Sequence, residues 1–124
     1  MMIRYACAFA VFAGVADAQS VKLSAHEIDV LLSGNTAVGT WDGIDYRQYF
    51  APDGTTIWAQ PGARSTAGQW RVDDARDEYQ SIWRTDDGWD GWYVMEYAGT
   101  WFWVSKSTPP TPFEIVEGEQ LVAQ

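Results

Sequence analysis

Hydrophobic and polar positions alternate along most of the chain, in short segments separated by Gly, Asp and Pro. An alternation of period two is typical of β-strands, because successive side chains point to opposite faces. Within 44–51, for example, Tyr46, Gln48 and Phe50 fall on one face. The pattern predicts eight strands, at 36–41, 44–51, 55–60, 66–72, 78–85, 89–97, 100–105 and 113–116.

One segment that precedes these strands has helical periodicity instead. Ile28 and Leu32 are four residues apart and therefore lie on one side of a helix. Ser24 is a favourable N-cap, and Glu27 stands three residues later, which completes a capping-box pattern. The sequence predicts a short helix at about 24–33 that covers one end or one face of the sheet.

The connections between the predicted strands are short turns such as Asp53-Gly54. Short connections make sequence neighbours antiparallel. A meander of this length leaves two open edges unless it closes, and open edges favour aggregation. We therefore predict a mainly β fold, an up-and-down meander that forms a closed or half-closed barrel, with a β-sandwich as the alternative.

The first eighteen residues have the organisation of an export signal. A short basic start is followed by the apolar run 5–15 and by Ala16-Asp17-Ala18, which places small residues where a signal peptidase cleaves. We predict a signal peptide at 1–18, a single β-barrel domain at 19–124, and a periplasmic or secreted location. The alternative is an uncleaved membrane anchor, although the run is short for a bilayer span.

Charge and cysteine content narrow the possible partners. The formal net charge is −9 and the pI is about 4.3, which argues against binding to nucleic acid or to anionic membrane surfaces. The single cysteine, Cys7, lies within the predicted signal peptide, so the mature chain has no disulfide. A small apolar ligand, a second copy of the chain or a basic protein remain as partners, and no cofactor is predicted.

The N-terminal half resembles a family of small exported bacterial proteins of unknown function. The resemblance covers 23–72 closely and the second half loosely, where this chain has no cysteines at positions at which some members carry them. It rests on Leu31-Leu32-Ser33-Gly34-Asn35-Thr36, Gly39-Thr40-Trp41, Tyr49-Phe50-Ala51-Pro52-Asp53-Gly54-Thr55 and Gly68-Gln69-Trp70-Arg71-Val72. It implies no activity and no site residues.

A looser resemblance concerns Gly39-Thr40-Trp41, which follows the predicted helix. This tripeptide is similar to the Gly-x-Trp signature that opens the first strand of lipocalin-like barrels. The resemblance implies a barrel whose floor is closed by the Trp and whose cavity binds small apolar ligands. Gly68-Gln69-Trp70 repeats the same pattern.

Tryptophan is unusually frequent, since the chain has eight and all of them follow the predicted signal peptide. Inward-facing Trp side chains can line an apolar cavity, and the residues predicted to do so are Trp70, Trp83, Trp92, Trp101 and Trp103. Glu96 is added because it shares a strand face with Trp92. The alternatives are a Trp-rich core, an exposed platform that stacks sugars, or a dimer interface.

Other chemistry has weak support in the sequence. Asp86 and Asp90 have the spacing of the first half of a calcium loop, but the bidentate Glu that should close the loop is missing, so an acidic turn is the alternative. His26 is the only histidine, and without Cys it cannot form a Cys–His dyad. Asp42, Asp45 and Glu96 are carboxylates that a barrel can bring together for glycoside hydrolysis.

The first functional hypothesis is therefore a non-enzymatic exported protein that holds a small apolar or aromatic ligand in the barrel. The second is an acidic envelope protein that interacts with itself or inhibits a basic enzyme. The third is a weak hydrolase that uses carboxylates. No catalytic residue is predicted for the first two.

Overall fold

The alternating segments form strands close to their predicted bounds in the computed structural model, which describes residues 19–122. The predicted signal peptide, 1–18, lies outside the described residues. The strands are β1 (Val21–Lys22), β2 (Asn35–Trp41), β3 (Ile44–Phe50), β4 (Thr55–Ala59), β5 (Thr66–Asp73), β6 (Glu78–Trp83), β7 (Asp90–Tyr97), β8 (Thr100–Val104) and β9 (Thr111–Glu117). Only β1 was not predicted, because two residues carry no periodicity.

Strands β2 to β9 form a closed antiparallel barrel in which each strand pairs with its neighbours in sequence. The barrel closes where β9 pairs with β2, from Asn35 opposite Glu117 to Gly39 opposite Phe113. Closure satisfies the backbone hydrogen bonds that two edge strands would leave open. The predicted up-and-down barrel is confirmed, and the alternative sandwich is wrong.

The strand register places every second residue inside the barrel. Residues that lie directly opposite each other share a face, so the pairs Gln48–Trp58 and Tyr79–Trp92 point the same way. The same rule extends to Val94 opposite Trp103. The aromatic positions that alternate along the sequence therefore converge on one interior.

The predicted helix is confirmed with its cap, as α1 (Ala25–Leu32). The Ser24 hydroxyl accepts from the Glu27 backbone N–H at 3.2 Å, and the Glu27 carboxylate accepts from the Ser24 N–H at 2.8 Å. Ile28 and Leu32 are fully buried. Within 19–122, no helix is long and apolar enough to cross a membrane.

Helix α1 fills one end of the barrel, which we call the helix end. The backbone N–H of Ala25 donates to the Asp77 carboxylate, in the β5–β6 turn, at 2.7 Å. Gly34, just after the helix, donates to the carbonyl of Phe50, where β3 ends, at 2.7 Å. The β2–β3, β4–β5, β6–β7 and β8–β9 connections lie at the other end, which we call the open end.

Strand β1 fixes the chain that leads into α1. It pairs with β7 at Val21–Glu96, beyond the part of β7 that pairs with β6. The Leu23 N–H then donates to the carbonyl of Val94 at 2.9 Å, and the Leu23 side chain is buried in the core. These bonds anchor α1 against the barrel from its N-terminal side.

Candidate functional site

The open end of the barrel contains a cavity of about 310 Å³. A cavity of this size is at the small end of the range that holds small-molecule ligands. Seven of its eleven lining residues are aromatic: Trp41, Tyr46, Trp58, Tyr79, Trp83, Trp92 and Trp103. The other four are Gln48, Thr66, Ser81 and Asp90.

The floor of the cavity is the upper surface of the core. Tyr79 and Trp103 belong to the core cluster and also line the cavity, with ring centroids 5.1 Å apart. Below them Phe50 packs edge-on against Tyr79, at 5.6 Å. The cavity is therefore the part of the interior that α1 does not reach.

The wall of the cavity is made of paired rings. Tyr46 and Trp58, on adjacent strands, stack with centroids 4.2 Å apart and an interplanar angle of 7°. Trp41 and Trp92 meet edge to face at 5.6 Å and 82°. Because β2 and β7 are not adjacent in the sheet, the second pair spans the interior and narrows the opening.

Two glycines make room for rings of the wall. A Cβ on Gly39 would lie 3.0 Å from the hydroxyl of Tyr46, and a Cβ on Gly68 would lie 2.7 Å from Cε3 of Trp83. Both are close to or below the shortest contacts that carbon atoms tolerate, so the aromatic ring of the next strand occupies the space of the missing side chain. The glycine of each Gly-x-Trp tripeptide thus shapes the cavity.

The floor also carries a buried amide. Gln48 is 4% exposed, and its Nε2 donates to Thr56 Oγ1 at 2.9 Å and to the Tyr79 hydroxyl at 3.0 Å. Thr56 Oγ1 donates its own proton to the carbonyl of Tyr49, at 2.9 Å, so it must accept from Nε2 and the orientation of the amide is fixed.

The orientation leaves one acceptor without a partner. Among residues 19–122, no donor bonds to Oε1 of Gln48. A buried carbonyl oxygen without a hydrogen bond is costly, and most such groups in folded proteins are paired with protein or with water. Since Gln48 lines the cavity, a ligand bound there is the candidate donor for this oxygen.

Burial raises the pKa of both tyrosines that line the cavity. Desolvation raises the pKa of Tyr79 to about 12, against a smaller opposing effect of its hydrogen bonds with Ser81 and Gln48. Desolvation also raises the pKa of Tyr46, although its hydroxyl accepts from the indole N–H of Trp103 at 3.0 Å. Both side chains are neutral hydroxyls at physiological pH.

The predicted ligand residues separate into two groups. Trp83, Trp92 and Trp103 line the cavity together. Trp70 faces inward but belongs to the helix end, where its indole N–H donates to the carbonyl of Ala51 at 2.8 Å. Trp101 packs against Phe113, outside the cavity.

Glu96 also lies outside the cavity, and its side chain is exposed near the β7–β8 turn. An exposed carboxylate needs no basic partner, and two strand-borne arginines bond elsewhere. Arg47 donates to the carbonyl of Gln120 at 2.8 Å, and Arg71 donates to Gln80 at 2.7 Å.

Four aromatic residues of the cavity were not among the predicted ligand residues: Trp41, Tyr46, Trp58 and Tyr79. The alternation in β3 placed Tyr46 beside Gln48, but only the barrel register brings both against Trp58. Trp41 lies at the open end. The lipocalin-like resemblance implies a Trp at the floor, a position that Tyr79 and Trp103 occupy here.

The candidate hydrolytic residues are dispersed, and of the two calcium candidates Asp90 lines the cavity. Asp42 lies in the β2–β3 turn, at the opposite end from Glu96, and Asp45 accepts from the Thr40 hydroxyl at 3.0 Å. Asp86 accepts from the backbone N–H of Trp83 at 2.9 Å, as expected of a turn residue. No group of three or more His, Cys, Asp or Glu in 19–122 is arranged to hold a metal ion.

A larger depression of about 1240 Å³ lies on the outside of the barrel. It is lined by outward side chains such as Val38, Arg47 and Glu114 and by Leu121 and Val122 of the tail. The aromatic residues Tyr46, Trp101 and Phe113 also reach it. Only the smaller cavity combines seven aromatic residues with the buried amide of Gln48 and with both tyrosines whose pKa is raised, and we therefore take it as the candidate site.

Comparison with known proteins adds no assignment. No family model, no curated protein and no solved structure matches this chain.

Proposed function

We propose that this chain is an exported, non-enzymatic binding protein that holds a small, mostly apolar or aromatic ligand inside the open end of its barrel. The observation that carries the proposal is the cavity of about 310 Å³ with seven aromatic lining residues. Apolar walls with a few placed polar groups are the usual composition of small-molecule sites.

The polar groups give the proposed ligand an orientation. The aromatic part of the proposed ligand packs between Trp58 and Trp83. A polar group of the same ligand then meets Oε1 of Gln48 at the floor of the cavity. A ligand with a donor group satisfies that oxygen, whereas a pure hydrocarbon leaves it unpaired. We therefore expect donor-bearing aromatic compounds to bind more tightly than hydrocarbons of the same size.

The other two hypotheses have less support from the geometry. Exposed large apolar side chains, which an interaction surface would collect, are spread over separate elements, with Val30 on α1, Ile44 at the start of β3 and Tyr97 at the end of β7. The interaction or inhibitor role stays a prediction, as does a hydrolase that uses carboxylates.

The first test is native mass spectrometry of the mature protein purified from the exported fraction, compared with its denatured mass. A mass that is present only in the native spectrum identifies a resident ligand. A titration with N-phenyl-1-naphthylamine, a neutral aromatic probe, then measures binding directly through probe and tryptophan fluorescence.

Matched variants locate the binding site. We expect Trp58→Leu and Trp83→Leu to weaken probe binding by about tenfold, because each removes an aromatic face of the cavity. Trp89→Leu is the control, since Trp89 is also half-buried but lies outside the cavity beneath Arg71. Equal losses in all three variants, or probe binding that does not saturate, would contradict the proposal.

A further inference from the structure

The cavity is lined mainly by aromatic rings and carries a single formal charge. Aromatic faces carry negative electrostatic potential and attract cations, and Trp does so most strongly. The only charged lining residue is Asp90, and no Lys, Arg or His side chain of the described chain lines this cavity. The free oxygen of Gln48 adds a further partial negative charge at the floor.

The hydrogen-bond donors of the lining do not give the cavity a positive charge. The indole N–H of Trp103 is bonded to Tyr46, and the amide N–H groups of Gln48 are bonded within the floor. The remaining indole N–H groups of the wall carry no formal charge. An anionic ligand would therefore enter an apolar site that has no counter-ion, which is strongly unfavourable.

The basic groups near the opening stay outside the cavity. Arg64, Arg84 and Lys106 are exposed residues of the open-end connections, and none of them lines the site. The same connections carry Asp42 and Asp87, also exposed. With a formal net charge of −9, the whole molecule attracts cations over longer range.

The protein already uses cation–aromatic contacts on its outer surface. The Arg71 guanidinium lies 3.9 Å from the centroid of Trp89, and the Lys22 ammonium lies 4.4 Å from the centroid of Tyr93. These contacts are formed by the chain's own cations. Among the cavity rings, by contrast, the described chain places no cation of its own.

From these observations we infer that the ligand is a small organic cation, a protonated tertiary amine whose charged group lies among the aromatic rings and is attracted by Asp90, an exposed residue at the start of β7. This inference rests on the proposed function, because it names the ligand class of the same cavity. It predicts selectivity by charge among molecules of equal shape.

Three probes of matched shape test the inference by calorimetric or fluorescence titration: protonated benzyldimethylamine, its neutral carbon isostere isobutylbenzene, and the anion benzylsulfonate. We expect the cation to bind about tenfold or more tightly than the neutral isostere, and the anion most weakly. Equal or tighter binding of the neutral isostere would overturn the cation inference and leave the proposed function intact.

Absence of binding by both the cation and the neutral isostere would overturn the inference and the proposed function together. Asp90→Asn then tests the counter-ion, and Asp87→Asn is the control with the same change in net charge outside the cavity. We expect Asp90→Asn to weaken cation binding by about fivefold and to leave the neutral probe unaffected. Equal losses in both variants would assign the effect to general surface charge and contradict the role of Asp90.

Discussion

The helix end and the open end of the barrel both contain inward-facing aromatic rings, but only the helix end is filled. There Phe50 is fully buried between the rings of Trp70 and Tyr79 and the apolar face of α1. At the open end Trp58 and Trp83 are half-buried and border a cavity. The difference arises because α1 packs into the helix end, and no element of the described residues packs into the open end.

This comparison separates two contributions of an aromatic ring. A ring that is surrounded on all sides stabilises the fold through buried area and close packing. A ring that faces a cavity contributes less to folding and leaves one face for a ligand. Substitutions at the helix end should therefore lower mainly the free energy of unfolding, and substitutions at the open end should weaken mainly ligand binding.

The largest expected effect is that of Phe50→Ala at the helix end. Removal of a fully buried ring leaves a cavity and should lower the free energy of unfolding by about 3–5 kcal/mol. Trp58→Leu at the open end should lower it by only about 1 kcal/mol, because a half-buried stacked ring is lost. Urea denaturation of both variants measures the difference. Equal losses would mean that the open end is packed as tightly as the helix end.

Alkaline pH tests the boundary between the two ends, where Tyr79 lies. Its pKa is about 12 in the folded protein and close to 10.0 when unfolded, so the unfolded chain loses this proton first. The stabilisation is complete below pH 10 and is lost as the pH rises. Between about pH 9 and about pH 11.5 the free energy of unfolding should fall by roughly 2 kcal/mol from this group.

Tyr79→Phe is the control for the alkaline effect. The variant loses the hydrogen bond from Gln48 and should start from a lower stability, but it should be less sensitive to alkaline pH. Denaturation curves of both proteins across the same pH range give the comparison. A pH dependence of the variant equal to that of the wild type would refute a buried, neutral Tyr79.

A small effect, of the same order as that of Trp58→Leu, is expected for Gly68→Ala in the cavity wall. The new Cβ would meet Trp83 and the carbonyl oxygen of Ile82, both at 2.7 Å, so the ring and the strand must shift. We expect a loss of about 1–2 kcal/mol in the free energy of unfolding and a change in Trp83 fluorescence. Gly88→Ala is the control, since a Cβ there meets nothing within 4 Å. Identical behaviour of the two variants would show that the wall tolerates overpacking.

Much of the fold was predictable from local patterns. Alternation gave the faces of β3 correctly, and the capping box of Ser24 and Glu27 located the start of α1. The alternation and the capping box each involve residues that are close in sequence, and such local patterns can be recognised without the structure. Strand β1 was missed because its two residues pair with a strand more than seventy positions away.

The candidate site was predicted only in part. Trp83, Trp92 and Trp103 were expected in a cavity, and the structure places them together. Trp70 and Trp101 have the same residue type and the same strand periodicity, yet they lie elsewhere. No local feature of the sequence distinguishes the two groups, because the distinction depends on height along the barrel axis.

The sequence by itself determined the strand segments, the helix and its cap, the inward-facing positions and the acidic character of the chain. The tertiary structure alone decided how the barrel closes, which end α1 fills and which inward-facing rings border open space. The physical reason is that periodicity assigns a side chain to a face through its neighbours in the chain. Packing against α1 and pairing between β9 and β2 involve residues that are distant in sequence, and their outcome is fixed only when the register of the whole barrel is set.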